Sequence, residues 1–178
     1  MLTKNNTFKY INNADIFDLI EKRIESGNNG CSVIVPHVCN NIDLFGAGFA
    51  AQVANTYPLV KTNYHLLGGK PFLKNNLGYA QFIKVREDKK YRHKLYFVNM
   101  IAQNGIRNAK NPRPLNYPAL VRSMTEVAKF INSEKENIEI HAPKFGSGLA
   151  GGNWNFISDL IDDIWGNYNV FIYEPKKT

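Results

Sequence analysis

Two glycine-rich segments carry the residues best suited to chemistry. The first, His37-Val-Cys-Asn-Asn-Ile-Asp-Leu-Phe-Gly-Ala-Gly-Phe-Ala50, sets an imidazole, a thiol, amides and a carboxylate ahead of Gly46 and Gly48. The second, Pro143-Lys-Phe-Gly-Ser-Gly-Leu-Ala-Gly-Gly-Asn-Trp154, holds Ser147 among glycines. Glycine removes the Cβ where a backbone must pass close to a ligand, and the first N–H groups of a helix, unpaired within it, bind anions. Gly48 opens one predicted helix, and another follows Gly152. Two such loops can clasp a diphosphate through their N–H groups, with the Ser147 hydroxyl as a further donor.

His37 lies at a predicted strand end beside the first loop, and imidazole ordinarily titrates near neutrality, so it is the candidate for acid–base chemistry. The competing reading is a strand histidine bonded to nearby backbone. Asp43 is either a partner in that chemistry or a cap within its loop. Cys39 and His37 alone make an incomplete nucleophilic or metal site, and Cys39 reads as a small buried thiol. His65, His93 and His141 are scattered along the chain, so no metal is expected. Gly46-Ala-Gly-Phe-Ala-Ala51 also fits a dinucleotide-binding fingerprint, but several polar residues separate it from its strand. That fingerprint wants an acidic residue about 20 positions on, whereas the first carboxylate after Asp43 is Glu87.

These residues need a scaffold, and the periodicity supplies one. Phe8 to Ile11, Ser32 to Val38, Leu77 to Val85, Leu95 to Ile101, Ile138 to Ala142 and Val170 to Tyr173 read as strands; Pro36 must lie near a strand end or on a side without a ladder partner. Asp15 to Ser26, Gly48 to Tyr57, Tyr117 to Asn132 and Asn155 to Trp165 read as helices, the third with the clearest apolar stripe. The stretch after Pro58 is less regular, and the charged segment Arg86 to Lys94 reads as a solvated tip between two strands. Alternating elements predict an α/β fold with a mixed sheet covered on both faces, ligands sitting at the carboxyl ends of strands. Both glycine loops follow strands and converge at one end.

The chain of 178 residues, 44% hydrophobic, suits one domain spanning 1–178. A polar start and the absence of any long apolar run lead us to expect a soluble cytoplasmic monomer that does not engage membranes. The formal charge of +7 favours anionic partners. No carboxylate occurs between Leu44 and Arg86, where Lys61, Lys70, Lys74, Lys84 and Arg86 lie. With charge as its only support, a nucleic-acid-binding module ranks last among functions, because no element pairs basic with aromatic residues.

Taken together, the segments resemble the macro domain family. Ala14-Asp15-Ile16 is similar to its Gly-Asp-Ile, the run from His37 to Ala50 to its first loop, Asn99-Met-Ile-Ala-Gln103 to its central strand, and Pro143 to Trp154 to its phosphate loop. They occur in the family's order across nearly the whole chain. The resemblance implies a three-layer α/β/α fold and an ADP-ribose ligand. It gives Asp15 the adenine amine, Asn40 the distal ribose, and Gly46, Ala47, Gly48, Ser147, Gly148 and Leu149 the diphosphate, with Ile16, Phe49 and Ala150 as further substrate-binding residues.

Within the family the motif is most similar to the ADP-ribose-1''-phosphate phosphatase branch, which implies His37, Asn40 and Asp43 as catalytic residues and requires no cofactor. A glycohydrolase branch uses a lysine after the central strand and an aspartate after Gly-x-Gly-Leu. Gln103 and Ala150 occupy those positions here, which argues against that chemistry. Two alternatives stay open: removal of ADP-ribose from protein or nucleic acid, with Arg107, Lys110 and Arg113 meeting the macromolecule, and a non-catalytic ADP-ribose reader.

Overall fold

A computed structural model describes residues 7–174. Strands β1 (Lys9–Asn12), β2 (Ser32–Asn40), β3 (Ala80–Glu87), β4 (Lys94–Gln103), β5 (Ile138–Pro143) and β6 (Val170–Glu174) form one sheet in the order β1-β6-β5-β2-β4-β3. All neighbours are parallel except the β3/β4 hairpin, so the sheet is mixed, as the sequence predicts.

A parallel strand buried on both faces reads as continuous apolar sequence, and β2 does. Val33, Val35 and Cys39 face one core with α1 (Ile16–Glu25), α2 (Gly48–Thr56), α3 (Pro58–His65) and α4 (Gly69–Asn75). Ile34 faces the other, with α5 (Tyr117–Ser133) and α6 (Trp154–Trp165). Asn116 and Asn153 cap those two helices by accepting from Ala119 N–H and Phe156 N–H. Among the described residues no helix is long and apolar enough to cross a membrane.

The irregular stretch after Pro58 is a correction to the sequence reading, because it forms two short helices. Pro58 stops α2 yet starts α3, since its fixed φ and missing N–H suit a first helical position. Gly68 and Gly69, at φ +101° and +64°, make the turn into α4. Neither helix has a long periodic stripe, so pattern alone passes over them.

Pro36 sits mid-strand and still obeys its constraint. Ser32 N–H donates to Asn137 O, so the even-numbered residues of β2 direct their backbone groups toward β5. The β2/β5 ladder pairs Ser32, Val33 and Ile34 and then ends, whereas β2/β4 runs on to Asn40. The next rung toward β5 would need the N–H that Pro36 lacks. The two central strands therefore part at their carboxyl ends, where both glycine loops leave the sheet.

Candidate functional site

The first loop is built on Asn40. A register shift between Cys39 and Asn40 leaves Asn40, paired with Gln103, as the last rung of the β2/β4 ladder. The Asn40 side chain then winds the chain over itself: Oδ1 accepts from Ile42 N–H at 3.1 Å and Leu44 N–H at 3.2 Å, and Nδ2 donates to Leu44 O at 2.6 Å. From α3 the buried Tyr64 hydroxyl reaches Asn40 O at 2.8 Å and Oδ1 at 3.0 Å. Asp43 takes a left-handed φ of +64°, and its Oδ1 meets His65 Nδ1 at 2.8 Å. Beyond it α2 begins at Gly48 with no side-chain cap, so its first N–H groups remain available.

Neighbouring Asn41 fixes the loop laterally. It is 3% exposed, its N–H donates to Gln103 O, its Oδ1 accepts from Gly105 N–H at 2.8 Å, and its Nδ2 donates to Asn104 Oδ1 at 3.0 Å. Three polar groups thus clip the first loop to the segment after β4.

The second loop closes on its own backbone through Gly151 N–H to Gly148 O and Gly152 N–H to Gly146 O. Its glycines are there for space: a Cβ on Gly152 would stand 2.4 Å from Leu115 Cδ2 and 2.6 Å from Gly146 O. A Cβ on Gly48 would meet Leu149 Cδ1 at 3.4 Å, which shows how closely the two loops approach. By contrast a Cβ on Gly46 or Gly148 would meet nothing within 4 Å, because both face the open cleft. The cleft encloses about 710 Å³ between the loops, within the range of small-molecule sites. Gln103, Ile106 and Arg107 wall one side, and Lys144 and Phe145 another.

His37 lines this cavity but is 2% exposed. The rings of Phe45 and Phe49 stand edge-on to it at 5.8 and 5.7 Å. Burial pulls its pKa down to about 4, against a smaller opposing effect of Asn99. The imidazole is therefore neutral at pH 7, and its Nε2 has no hydrogen-bond partner among the described residues. Cys39 is a buried thiol as expected, its pKa raised by burial and its Sγ 3.6 Å from Asn99 Oδ1. Positive charge at the cavity comes from Arg107 and from Lys144, which pairs with Glu174.

Of the residues expected at the site, His37, Asn40, Gly46, Ala47, Gly48, Phe49, Gly148, Leu149 and Ala150 all line the cavity. Ser147 is adjacent, with its hydroxyl turned to Lys144 O at 3.1 Å rather than outward. Asp43 does not line the cavity; its carboxylate is held by His65. Asp15 is the exposed N-cap of α1, accepting from Phe17 N–H at 2.8 Å. It and Ile16 are linked to the cavity through Phe17, which stacks on Phe49 at 5.7 Å. Tyr173, near the end of β6, is packed inside: it is 5% exposed with its hydroxyl 2.8 Å from His141 Nδ1.

The sequence reading missed Asn41 as the clip between loops, and Ile106, Lys144 and Phe145 as cavity walls. The four asparagines spaced between residues 104 and 116, which cannot enter a core unpaired, were the available signal for a hydrogen-bonded clamp.

No protein-family model matches the chain. The ADP-ribose 1''-phosphate phosphatase of Lodderomyces elongisporus is 25% identical over 182 aligned residues, covering 94% of this chain and 99% of its own length. A macrodomain protein from Streptomyces coelicolor is 23% identical with a TM-score of 0.65, covering 94% of this chain and 98% of its own. Thermosipho africanus DarTG, solved in complex with ADP-ribose, is 14% identical with a TM-score of 0.62, over 96% of this chain and 54% of its own. With this sheet order, two glycine loops on one cleft and these structural matches, the chain is a macrodomain in fold.

Proposed function

We propose that the cleft binds ADP-ribose and that the chain removes the terminal phosphate from ADP-ribose-1''-phosphate. One observation carries the binding: Gly46 and Gly148, on opposite loops, both leave open space toward a single cavity, beside the uncapped start of α2. Backbone N–H groups at that position suit a diphosphate. The phosphatase reading draws on the similarity to the Lodderomyces elongisporus enzyme and on the His37-to-Ala50 motif.

In this reading Asp15 accepts from the adenine amine and Asn40 marks the distal-ribose end. His37 acts in its neutral form: Nε2 accepts a proton from the attacking water as the water's oxygen bonds to phosphorus, the bond to the ribose oxygen breaks with its electron pair going to that oxygen, and the imidazolium returns the proton to it. Asp43 acts through the loop it shapes. Membership of the site by Ser147 rests on its N–H, since its hydroxyl is turned away.

The test is calorimetric titration of ADP-ribose, followed by phosphate release from ADP-ribose-1''-phosphate in wild type and His37→Ala. Saturable binding and His37-dependent release support the phosphatase. Binding without release makes the protein a reader or a hydrolase of conjugates, and no binding removes the reading altogether. The conjugate hydrolase is favoured by one feature, the exposed Arg107 and Ile106 at the cavity mouth.

A further inference from the structure

An imidazole can act as a base only through the ring nitrogen that lacks a hydrogen, and a row of polar side chains behind His37 decides which nitrogen that is. His37 of β2, Asn99 of β4 and Gln81 of β3 are register partners across three adjacent strands, and Cys39 is the next residue of β2 on the same face. Asn99 is fully buried, and His37 and Cys39 are nearly so. Polar groups at that depth persist where each has a partner, and here the partners form a row with one direction.

The direction starts at a backbone carbonyl, which accepts and never donates. Asn63 O of α3 takes a hydrogen bond from Gln81 Nε2 at 2.9 Å, so the Gln81 amide presents Oε1 toward β4. That oxygen accepts from Asn99 Nδ2 at 2.9 Å, which turns Asn99 Oδ1 toward β2. Cys39 Sγ lies 3.6 Å from Asn99 Oδ1 and 3.8 Å from His37 Nδ1. Burial raises the thiol's pKa, so the sulfur keeps its hydrogen and donates it to the amide oxygen. The sulfur then offers Nδ1 only lone pairs. A neutral imidazole carries one N–H, and these surroundings place it on Nδ1. Nε2, with no hydrogen-bond partner among the described residues, is left as a bare acceptor at the cavity.

We propose that Cys39, Asn99 and Gln81 are positioning residues that hold the His37 hydrogen on Nδ1, so that Nε2 faces the cavity as a proton acceptor. The tautomer follows from the row itself; its use in phosphate release rests on the reaction proposed above. When Nε2 takes the water's proton, Nδ1 keeps its hydrogen against the sulfur and no proton passes along the row. Return of the Nε2 proton to the ribose oxygen restores the starting state. Were residue 81 unable to accept, Asn99 would be released to turn over and present Nδ2 to the sulfur. The S–H hydrogen would then point at Nδ1, the imidazole hydrogen would move to Nε2, and the base would be lost.

The test is a proton–nitrogen correlation spectrum of protein labelled with nitrogen-15 in its histidines, in which protonated and bare ring nitrogens have separate shifts. It is recorded for wild type, Gln81→Met and Gln81→Glu, with the His37 signals assigned by their loss in His37→Ala. Both Gln81 variants lose the bond to Asn63 O, so any loss of stability is common to them, but only glutamate keeps an oxygen for Asn99 Nδ2. The hydrogen is expected on Nδ1 in wild type and Gln81→Glu. In Gln81→Met it is shared with Nε2 or moves there, and kcat for phosphate release falls about ten-fold, the size usual when a histidine loses its outer partner, with KM little changed. A hydrogen on Nε2 in wild type, or the same behaviour in the two Gln81 variants, overturns the proposal. ADP-ribose titration of the same samples keeps the two readings apart, because neither Gln81 variant alters a cavity residue. A wild type with its hydrogen on Nδ1 that neither binds ADP-ribose nor releases phosphate refutes the reaction and leaves the positioning intact.

Discussion

Gly46 and Gly152 lie on the two loops of one cleft, yet substitution at each should do opposite things. At Gly46 an added Cβ meets nothing within 4 Å and the backbone is not left-handed. Replacing such a glycine restricts the unfolded chain and stabilises by about 0.4–1 kcal/mol, for Tm some 1–4 °C higher in a domain of this size. At Gly152 an added Cβ would lie 2.4 Å from Leu115 Cδ2 and 2.6 Å from the Gly146 carbonyl. Leu115 can yield a little, but the carbonyl is fixed by the loop's own hydrogen bond, so Gly152→Ala should cost about 1–3 kcal/mol and lower Tm by roughly 2–12 °C.

Binding should separate the two again. Gly46→Val fills space that a ligand's phosphate must occupy, so its affinity for ADP-ribose should fall at least about ten-fold, about 1.4 kcal/mol, with no loss of Tm. Differential scanning fluorimetry and calorimetric titration on the same samples read both effects. Wild-type affinity in a folded Gly46→Val variant would refute the placement of the ligand against the first loop. A destabilised Gly46→Ala would refute the reading of that glycine as present for the ligand.

Other outcomes follow from the buried ionisable groups and the caps. If His37 is the base, phosphate release should hold nearly constant from pH 8 to 6 and decline only as the pH approaches its depressed pKa of about 4, where it becomes protonated; a decline centred near pH 6.5 would show a different group at work. Burial pushes Glu139 upward, but hydrogen bonds from His141 and Arg23 outweigh it and hold the carboxyl at about 2. Its stabilisation, on the order of 3 kcal/mol, is therefore present above pH 4.5 and lost as the pH falls toward 2; urea melts across that range should show a shallower pH dependence in Glu139→Gln. Asp15→Ser should retain the α1 cap while Asp15→Ala loses about 1 kcal/mol; equal loss of ADP-ribose affinity in both, by titration, would assign the carboxylate to the ligand rather than to the helix.

Residue types that act through the backbone were the most legible. Strand β2, helix α5 and both glycine loops follow from apolar runs, period and glycine placement, because backbone conformation and burial on two faces leave direct traces in sequence. The short helices α3 and α4 do not: they bury Val60, Tyr64 and Leu73 in a core defined by other elements, so tertiary contact rather than periodicity holds them. Side-chain direction was the least legible property. Ser147 is placed near expectation yet spends its hydroxyl on Lys144 O within its own loop, and Asp43 turns to His65 of α3, choices that residue type and spacing do not record.

Pro36 has a consequence for how a ligand would arrive. A strand bearing an N–H at that position could continue its ladder toward β5 whenever the site was vacant, and each arriving ligand would first have to unzip a rung. Because proline cannot make that bond, the gap between β2 and β5 is set when the chain folds. Association should then be a single bimolecular step, with a stopped-flow rate that rises linearly with ligand concentration and shows no plateau from a preceding opening.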